Sequence, residues 1–323
     1  MISRRTFAIG AAPGVAATVR ARAQSYPIKP VKLIVPFAAG GPADVMARVA
    51  GQRMSAILGQ NLIVENRPGA GGTIGARAAA QAEPDGYTLM LANTSTLVIG
   101  PLVYRNVEYD PLKSFALIAA FGTTSNILVV NPQVPARTVQ EFIALARAQP
   151  GKLSYASPGI GTPPHLIGEM LKLKAGIDLV HVPYKGGGQA IGDVVAGQVQ
   201  MTFENPSVSL PLVRAGKVRA LAATGETRNP EAPDIPTMIE AGIPDFVSVS
   251  FTGLVAPAGT PAAIVARLNA AANESLAAPD VHGVLAKLAV EARPGTPAEF
   301  AAFVTAETDK WRAVVEAAKI RIE

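Results

Sequence analysis

The chain has 323 residues, of which 49% are hydrophobic and 16% are charged, and it contains no cysteine. This length suits one large domain or two ordinary ones, because single hydrophobic cores stop growing near ~250 residues, and we favour two. The composition is that of a globular protein, and the lack of cysteine excludes disulfides and thiolate chemistry.

The first 23 residues have the features of an export signal. Arg4 and Arg5 precede an apolar stretch of small residues at 7–19, and an A-x-A cleavage signal follows at 21–23. This stretch is shorter than the ~20 residues that a membrane-spanning helix needs. We therefore expect residues 1–23 to be a signal peptide. The paired arginines also fit a twin-arginine signal, so the Sec and twin-arginine routes both stay open.

Removing this segment changes the charge balance of the protein. It contains four arginines and no acidic residue, so the 29 basic and 24 acidic residues of the whole chain become 25 and 24. A nearly neutral chain offers no extended basic surface to a phosphate backbone, and we expect no nucleic-acid partner.

Short β-rich runs alternate with helical patterns along the rest of the chain. Helical periodicity covers 45–57 and 74–82, and Thr138 with Glu141 has the spacing of a capping box. Two further helices are predicted to begin at 260–261 and 296–297, and Thr296 with Glu299 has the spacing of a second capping box. Strands are predicted at 31–35, 62–65, 88–92, 127–130, 153–156, 179–182, 199–203, 218–222 and 247–255.

This alternation predicts mostly parallel sheets that are covered by helices. The proline-rich segment 227–246 cannot form one regular element, so we expect a surface excursion there before the run at 247–255 returns the chain to the first sheet. The sequence thus predicts a discontinuous lobe I, residues 24–125 and 248–323, and an inserted lobe II, residues 126–247.

The loops that follow the predicted strands are rich in glycine, serine and threonine. They read PFAAGGPAD, NRPGAGGTIG and NTSTLV in the first unit, and SPGIGTPPH, YKGGGQA and ENPSVS in the second. Ligands of parallel sheets bind beyond the carboxyl ends of the strands, and glycine loops before helices present N–H groups to an anion. A tight turn without a ligand explains any single loop equally well, but several loops on one edge favour binding.

Motifs for catalysis and for cofactors are incomplete. GAGGTIG at 69–75 misses the dinucleotide pattern by one residue, and no P-loop sequence occurs. Ser157 lacks the glycine that a nucleophile elbow needs two residues earlier, and the three histidines have no metal-ligand spacing. We therefore predict no catalytic residue, no cofactor and no metal.

Three polar residues have two explanations each. Asp44 either accepts N–H groups in the first turn of its helix or has a functional role, in which it receives a donor from the ligand or orients the loop. Glu204 is either an acceptor in the cleft or a solvated turn residue. His165 either reaches the cleft or caps its own helix, and His181, in an apolar strand, is expected to be a satisfied core residue.

Three further segments read DGYTLMLA, AGKVRALAATGETR and LVAPAGTPAAIVARLN. In their order along the chain, these segments and the glycine-rich loops quoted above resemble the Bug family of periplasmic receptors, the solute-binding component of tripartite tricarboxylate transporters. The resemblance covers nearly the whole mature chain. It implies a two-lobed α/β fold of the Venus-flytrap type, a small carboxylate held between the lobes, delivery to membrane transporter subunits, and no catalysis. We accordingly expect a periplasmic monomer.

Two positions depart from the family's pattern. Glu204 stands where the family often has a shorter aspartate. Phe251 stands where the family often has tryptophan, so both positions leave the identity of the carboxylate open. The implied ligand-binding residues are Phe37, Ala39, Gly40, Gly41, Asp44, Thr94 and Ser95 from lobe I, and Ser157, Gly161, Thr162, His165 and Glu204 from lobe II.

Two other functions are compatible with the sequence. A receptor of this kind can dock to a sensor kinase instead of, or in addition to, a transporter. An α/β enzyme that uses the glycine loops for a phosphorylated substrate is the second alternative, and the absence of a complete phosphate motif and of a nucleophile-base pair counts against it.

Overall fold

The computed structural model of the protein describes residues 26–321. The predicted signal peptide at 1–23 therefore lies outside the described residues. Within the described range, no helix has both the length and the apolar character needed to cross a membrane.

Eleven strands are described, and most lie within two residues of a predicted strand. They are β1 (Val31–Val35), β2 (Leu62–Asn66), β3 (Thr88–Asn93), β4 (Phe115–Ser125), β5 (Ile127–Val130), β6 (Ser154–Ser157), β7 (Val180–Pro183), β8 (Met201–Glu204), β9 (Arg219–Ala223), β10 (Val249–Pro257) and β11 (Glu291–Ala292).

Ten α-helices connect or follow these strands. A 3₁₀ turn at Ala70–Gly72 precedes the second helix, and a π-helical turn at Ser95–Ile99 precedes the third. The helices are α1 (Pro42–Leu58), α2 (Thr73–Ala80), α3 (Gly100–Val103), α4 (Val139–Ala148), α5 (Pro163–Ala175), α6 (Gly187–Val195), α7 (Pro206–Arg214), α8 (Ala262–Leu276), α9 (Pro279–Lys287) and α10 (Pro297–Ala317).

The strands form two sheets, one in each lobe. The lobe I sheet has the order β11-β4-β10-β3-β1-β2, and the lobe II sheet has the order β7-β6-β8-β5-β9. This two-lobed α/β architecture confirms the predicted fold class. The sheets are mixed, however, and not mostly parallel as predicted, because β10 runs antiparallel to both β3 and β4, and β5 runs antiparallel to both β8 and β9.

Each sheet nevertheless keeps a parallel group of three strands. In lobe I, β1 pairs in parallel with β2 and β3, and in lobe II, β6 pairs in parallel with β7 and β8. The loops that leave the carboxyl ends of these strands therefore meet on one edge of each sheet, which is where parallel sheets bind ligands.

The chain crosses between the two sheets next to Thr224, a residue that is completely buried. Asn126, the single residue between β4 and β5, donates its N–H to the Thr224 hydroxyl at 2.9 Å and accepts the Thr224 N–H at 2.8 Å. The same hydroxyl donates to the Ser248 carbonyl at 2.6 Å, and the Ser248 N–H donates to the Thr224 carbonyl at 2.8 Å. Thr224 thus fastens both crossover segments to each other.

The hydrophobic core also continues from one lobe to the other. One cluster contains Met90 from the first sheet, Leu128 from the second, and Trp311 from α10, all of which are buried. Helix α10 packs against both β4 and α5, so it contacts elements of both lobes. The predicted lobe limits, 24–125 with 248–323 and 126–247, remain a proposal that the division of the strands between the sheets supports.

Several details differ from the prediction. The longest strand, β4, was not predicted, because its sequence FALIAAFGTTS does not alternate apolar and polar residues and contains three alanines and a glycine, which are depleted in strands. Helix α9 was also missed. The segment 227–246 is irregular as expected, but it is not merely a surface excursion, because Met238 and Phe246 are fully buried.

The two predicted capping boxes have different outcomes. Thr296 and Glu299 form the complete box at the start of α10. Thr138 accepts the Glu141 N–H, but the Glu141 side chain accepts the N–H of Arg137 and not that of Thr138. At the start of α8, the N-terminal capping residue is Pro261, and the Thr260 hydroxyl donates to the Pro257 carbonyl.

The bonds of Thr224 predict a specific loss of stability in the variant Thr224→Val. The Asn126 N–H and the Ser248 carbonyl would each lose a buried partner, which lowers the free energy of unfolding by ~2–4 kcal/mol in urea denaturation. The matched variant Thr224→Ser keeps the hydroxyl and loses a single methyl group, at a cost of about 1 kcal/mol. Equal losses in the two variants would contradict the role of the hydroxyl.

Candidate functional site

The loop between β1 and α1 is held in place by the carboxylate of Asp44. One carboxylate oxygen accepts the N–H of Gly40 at 3.0 Å and the Nε–H of Arg48 at 2.9 Å. The other accepts the side-chain amide of Asn66 at 2.9 Å, and the same amide donates to the Phe37 carbonyl at 3.0 Å. Of the two explanations for Asp44, these bonds favour the one in which it holds the loop.

This arrangement fixes both the charge of Asp44 and the backbone around it. The hydrogen bond from Arg48 lowers the pKa of Asp44 to about 2, although its burial acts in the opposite direction. Gly40 adopts φ +85°, a left-handed conformation that glycine accepts without a Cβ penalty. The loop therefore enters α1 with Asp44 ionised and internally paired.

A cavity of about 330 Å³ opens between this loop and the strands that connect the lobes. Pro163, the first residue of α5, brings lobe II into its wall. The lining contains no lysine, arginine, aspartate, glutamate or histidine. The lining residues are Phe37, Gly41, Pro42, Ala43, Asn93, Thr94, Ser95, Gly122, Thr123, Thr124, Pro163, Ser250, Phe251, Thr252 and Val290.

Hydroxyl groups are the main polar groups of this cavity. The Thr94 hydroxyl accepts the Phe251 N–H at 2.8 Å, a bond that leaves the hydroxyl proton available. The Thr252 hydroxyl oxygen is buried and has no hydrogen-bond partner in the described part of the chain. Because buried polar groups are nearly always paired and Thr252 lines the cavity, its hydroxyl is a candidate contact for a ligand.

Backbone N–H groups add to these donors at the start of α1. Gly41 caps the helix and Pro42 has no N–H, so the first free donor inside the helix is that of Ala43. Gly41 and Ala43 both line the cavity. The positive end of the α1 dipole thus faces the same space as the hydroxyls, which suits an anionic group.

The loop at 158–162 in lobe II uses its polar groups differently. Gly161 donates its N–H to Nδ1 of His165 at 3.1 Å, and the Thr162 hydroxyl donates to the Gly159 carbonyl at 2.7 Å. The first two positions of α5 are prolines, which have no N–H to offer. This loop is therefore a weaker anion site than its sequence predicts, and His165 acts as a cap of its own helix.

Behind this loop lies a stack of three aromatic rings. The ring of His181 lies 4.8 Å from that of Tyr155 and 4.0 Å from that of His165. Nε2 of His181 is 2.7 Å from the Ser157 hydroxyl. His181 is therefore satisfied as expected, but it is half-buried on the edge strand β7 and does not lie in the core.

The same contact corrects the statement that no nucleophile-base pair is present, because a serine and a histidine do come within hydrogen-bond distance. Ser157 is completely buried, and its hydroxyl is also within 3.1 Å of the Gly159 carbonyl. The pair thus connects β6, β7 and the loop at 158–162.

Burial lowers the pKa of both stacked histidines. Burial and the proximity of His165 together lower the pKa of His181 to about 3. Tyr155 completes the network by donating its hydroxyl to Glu169 at 2.6 Å, and Lys172 pairs with the same carboxylate oxygen at 3.0 Å. The neutral histidines support the wall of the cleft in lobe II.

Glu204 is the last residue of β8 and is only 9% exposed. This burial excludes the solvated turn that the sequence allowed. One of its oxygens accepts the N–H of Asn205 at 2.8 Å, and burial raises the pKa of Glu204 to about 7. It lies at the same edge of lobe II as the loop at 158–162.

The structure brings some predicted site residues together and leaves others apart. Phe37, Gly41, Thr94 and Ser95 line the cavity. Ala39 is exposed beside it, while Gly40 and Asp44 hold the loop. The lobe II residues Ser157, Gly161, Thr162, His165 and Glu204 lie around the edge of their sheet and do not line the cavity.

Sequence reasoning missed the residues that β4 and β10 contribute to the cavity, which are Gly122, Thr123, Thr124, Ser250 and Thr252. No loop motif marks them, because they lie within strands. It also missed Asn66 as the fastening of the first loop, although its position at the end of β2 was a usable signal. Among residues 26–321, no cluster of three or more His, Cys, Asp or Glu side chains is placed to hold a metal ion.

Comparison with known proteins identifies similar sequences along most of the chain. Residues 46–320 match the family model TctC, described as the tripartite tricarboxylate transporter family receptor. Protein BugT of Bordetella pertussis (strain Tohama I) is 36% identical over 306 residues, which cover 94% of this chain and 93% of BugT.

Two solved structures from R. palustris resemble the fold closely. Rpa4515, solved with adipate, has a TM-score of 0.82 and 34% sequence identity, with 92% of this chain and 99% of that chain covered. MatC, solved with bound malate, has a TM-score of 0.79 and 35% sequence identity, with 90% of this chain and 100% of MatC covered.

The stacked histidines predict a loss of stability in acid. The unfolded His181 takes up a proton near its ordinary pKa of 6.5, whereas the folded residue stays neutral until about pH 3. The unfolded state therefore binds more protons below pH 6.5, and the stabilisation from His181 falls as the pH falls. Burial of Glu204 acts in the opposite direction, so the test compares the protein with His181→Phe, which keeps a stacked ring.

Between pH 6.5 and 4.5, the unmodified protein should lose roughly 2 kcal/mol more unfolding free energy than His181→Phe in urea denaturation. The pH slopes of the two proteins would be the same if His181 were already protonated in the folded state.

Proposed function

Since the chain belongs to the family of tripartite tricarboxylate transporter receptors, we propose that it captures a small organic dicarboxylate between its lobes for delivery to the membrane subunits of such a transporter. The resemblance to the Bug family that its loops show is confirmed. The family consists of solute-binding receptors and not of enzymes.

The main observation that supports the proposal is the neutral cavity beside the start of α1. Its wall combines the helix N-terminus at Gly41 and Ala43 with the hydroxyls of Thr94 and Thr252, and the Thr252 hydroxyl has no partner in the described chain. Such donors hold a carboxylate through hydrogen bonds and the helix dipole, without a cationic side chain. The adipate and malate named for the two similar structures support a dicarboxylate as the class of ligand.

Lobe II supplies the other side of the cleft in this proposal. Pro163 already contributes to the cavity wall, and the loop at 158–162 and Glu204 lie at the facing edge of the second sheet. A ligand that contacts both lobes favours the closed arrangement by its differential affinity for that arrangement. The closed form is then the one that a membrane partner recognises.

The remaining features of the proposal extend the family assignment. We place the mature protein in the periplasm as a monomer, exported by Sec or by the twin-arginine route, and the sequence of residues 1–23 supports export. A sensor kinase ectodomain stays an alternative docking partner. A pull-down of membrane subunits with and without the dicarboxylate distinguishes these partners.

The direct test is isothermal titration calorimetry with C4 to C6 dicarboxylates, monocarboxylic amino acids and aromatic acids, on protein unfolded and refolded to remove any carried ligand. We expect saturable binding of at least one dicarboxylate. No heat of binding and no rise in melting temperature with any dicarboxylate would reject the proposal.

Because Thr252 and Thr94 differ in their hydrogen bonds, we predict different effects when each is replaced by valine. Thr252→Val removes a hydroxyl that no protein group uses, so it should weaken dicarboxylate binding about tenfold and leave the free energy of unfolding unchanged. Thr94→Val should weaken binding and also lower the free energy of unfolding by ~1–2 kcal/mol, because the buried Phe251 N–H loses its acceptor. Full affinity in Thr252→Val would remove this hydroxyl from the site.

A further inference from the structure

Glu204 occupies the meeting point of three loops in lobe II. It ends β8, which is the parallel neighbour of β6, and β6 is in turn the parallel neighbour of β7. The loops that leave these strands at 158–162 and 184–186 therefore surround the same edge. A Cβ placed on Gly187, the first residue of α6, would lie 4.0 Å from one carboxyl oxygen of Glu204.

The carboxyl group of Glu204 is buried without a cation. Its Oε1 accepts the Asn205 N–H, and its Oε2 has no hydrogen bond within residues 26–321. The residue is 91% buried, since 9% of its surface is exposed. A carboxylate in such a position is poorly stabilised, because burial without a compensating charge disfavours the ionised form.

The charged groups on the neighbouring elements are engaged elsewhere. Strand β5 contains no titratable residue, and Tyr155 on β6 donates to Glu169. On α5, His165 accepts the N–H of Gly161, and Lys172 pairs with Glu169.

On the other side, Asp193 and His181 are also engaged, whereas Lys185 is not. Asp193 on α6 accepts the Tyr184 hydroxyl at 2.6 Å, and His181 on β7 contacts Ser157. Lys185, in the loop before α6, makes no ion pair in the described chain. Consistent with these surroundings, burial alone raises the pKa of Glu204 to about 7, and the Asn205 N–H lowers it only in part.

We propose that Glu204 binds in its neutral form and donates a hydrogen bond to the second carboxylate of the ligand, so that capture of a dicarboxylate takes up one proton. The proton comes from the solvent and is then shared between the Oε2 of Glu204 and one ligand oxygen. Two carboxyl groups this close cannot both stay ionised, which favours the protonated pair. This inference rests on the proposed function.

The start of α6 receives the charge that remains on the ligand. Gly186 caps this nine-residue helix, and the N–H groups of Gly187 and Gly188 lie in its first turn, where no carbonyl within the helix pairs with them. Their partial positive charge stabilises the shared carboxylate. Glu204 thereby selects ligands with an anionic second end and rejects ligands that carry an ammonium group there.

The test is calorimetry of adipate and of L-malate binding between pH 6.5 and 8.5, in buffers with different ionisation enthalpies. We expect Kd to rise at least tenfold over this range and the buffers to report the uptake of about one proton per ligand at pH 8. A Kd that is independent of pH, or one that falls as the pH rises, would overturn the proposal, since a falling Kd indicates an ionised Glu204.

The variants Glu204→Gln and Glu204→Leu distinguish hydrogen-bond donation by the side chain at position 204 from the effect of its shape. The amide of Glu204→Gln donates a hydrogen bond at every pH, so its Kd should no longer depend on pH, whereas Glu204→Leu should bind at least tenfold more weakly than the unmodified protein at pH 6.5. A pH-dependent Kd in Glu204→Gln would assign the proton to another group and reject the proposal.

A measurement without ligand separates this proposal from the proposed function. Carbon-13 NMR of the glutamate carboxyl groups, with Glu204→Gln used to assign the signal, should show Glu204 titrating near neutral pH. A midpoint near 4.5, the ordinary value for glutamate, would overturn the inference even if dicarboxylates bind. If neither adipate nor malate binds, the proposed function fails for these probes, and this titration still decides the state of Glu204.

Discussion

Four hydrogen bonds made by Thr224 hold together the two places where the chain crosses between the sheets. Because β4 and β10 are antiparallel partners, both crossovers lie side by side and form a seam between the lobes, and α10 and the shared hydrophobic core join the lobes as well. In the proposed binding mode, the carboxyl edges of the two parallel strand groups face a common cleft beside this seam. The cavity lies beside the seam, and its threonines from β4 and β10 belong to the connecting strands themselves.

In the proposed site, neutral groups bind the anion, and the charged side chains nearby hold loops in place. Asp44 and Arg48 pair with each other, and the pair is anchored by Asn66. The helix N-terminus and the hydroxyls then stay free for the ligand. A receptor has to release what it captures, and donors of this kind give a site that depends on closure and not on a permanent ion pair.

The two lobes differ in how their glycine loops are built. The loop before α1 leaves N–H groups free at the cavity, whereas the loop before α5 uses its N–H groups internally and continues into two prolines. In lobe II the free N–H groups are found at the start of α6, next to the buried Glu204. In the proposed binding mode, this asymmetry places one end of the ligand against hydroxyls and the other end against the carboxyl group of Glu204.

Local signals made most of the fold predictable from the sequence. Strand-helix alternation and caps located the parallel strands and the loops that follow them, and the glycine loop with Phe37 and Gly41 was correctly placed at the cavity. Non-local pairings were not predictable in this way. β4 carries no strand pattern, so the threonines that it and β10 bring to the cavity were invisible, and His165 meets His181 only because β6 and β7 are parallel neighbours.

The central claim is that a dicarboxylate holds the two lobes together, and an interlobe distance tests it most directly. The native chain has no cysteine, so Ile74→Cys on α2 and Val208→Cys on α7 provide two labelling sites, 46% and 42% exposed and outside the cavity wall. Electron-electron double resonance between spin labels at these sites should show a shorter, narrower distance distribution with saturating dicarboxylate. An unchanged distribution in the presence of a dicarboxylate that binds by calorimetry would contradict the account.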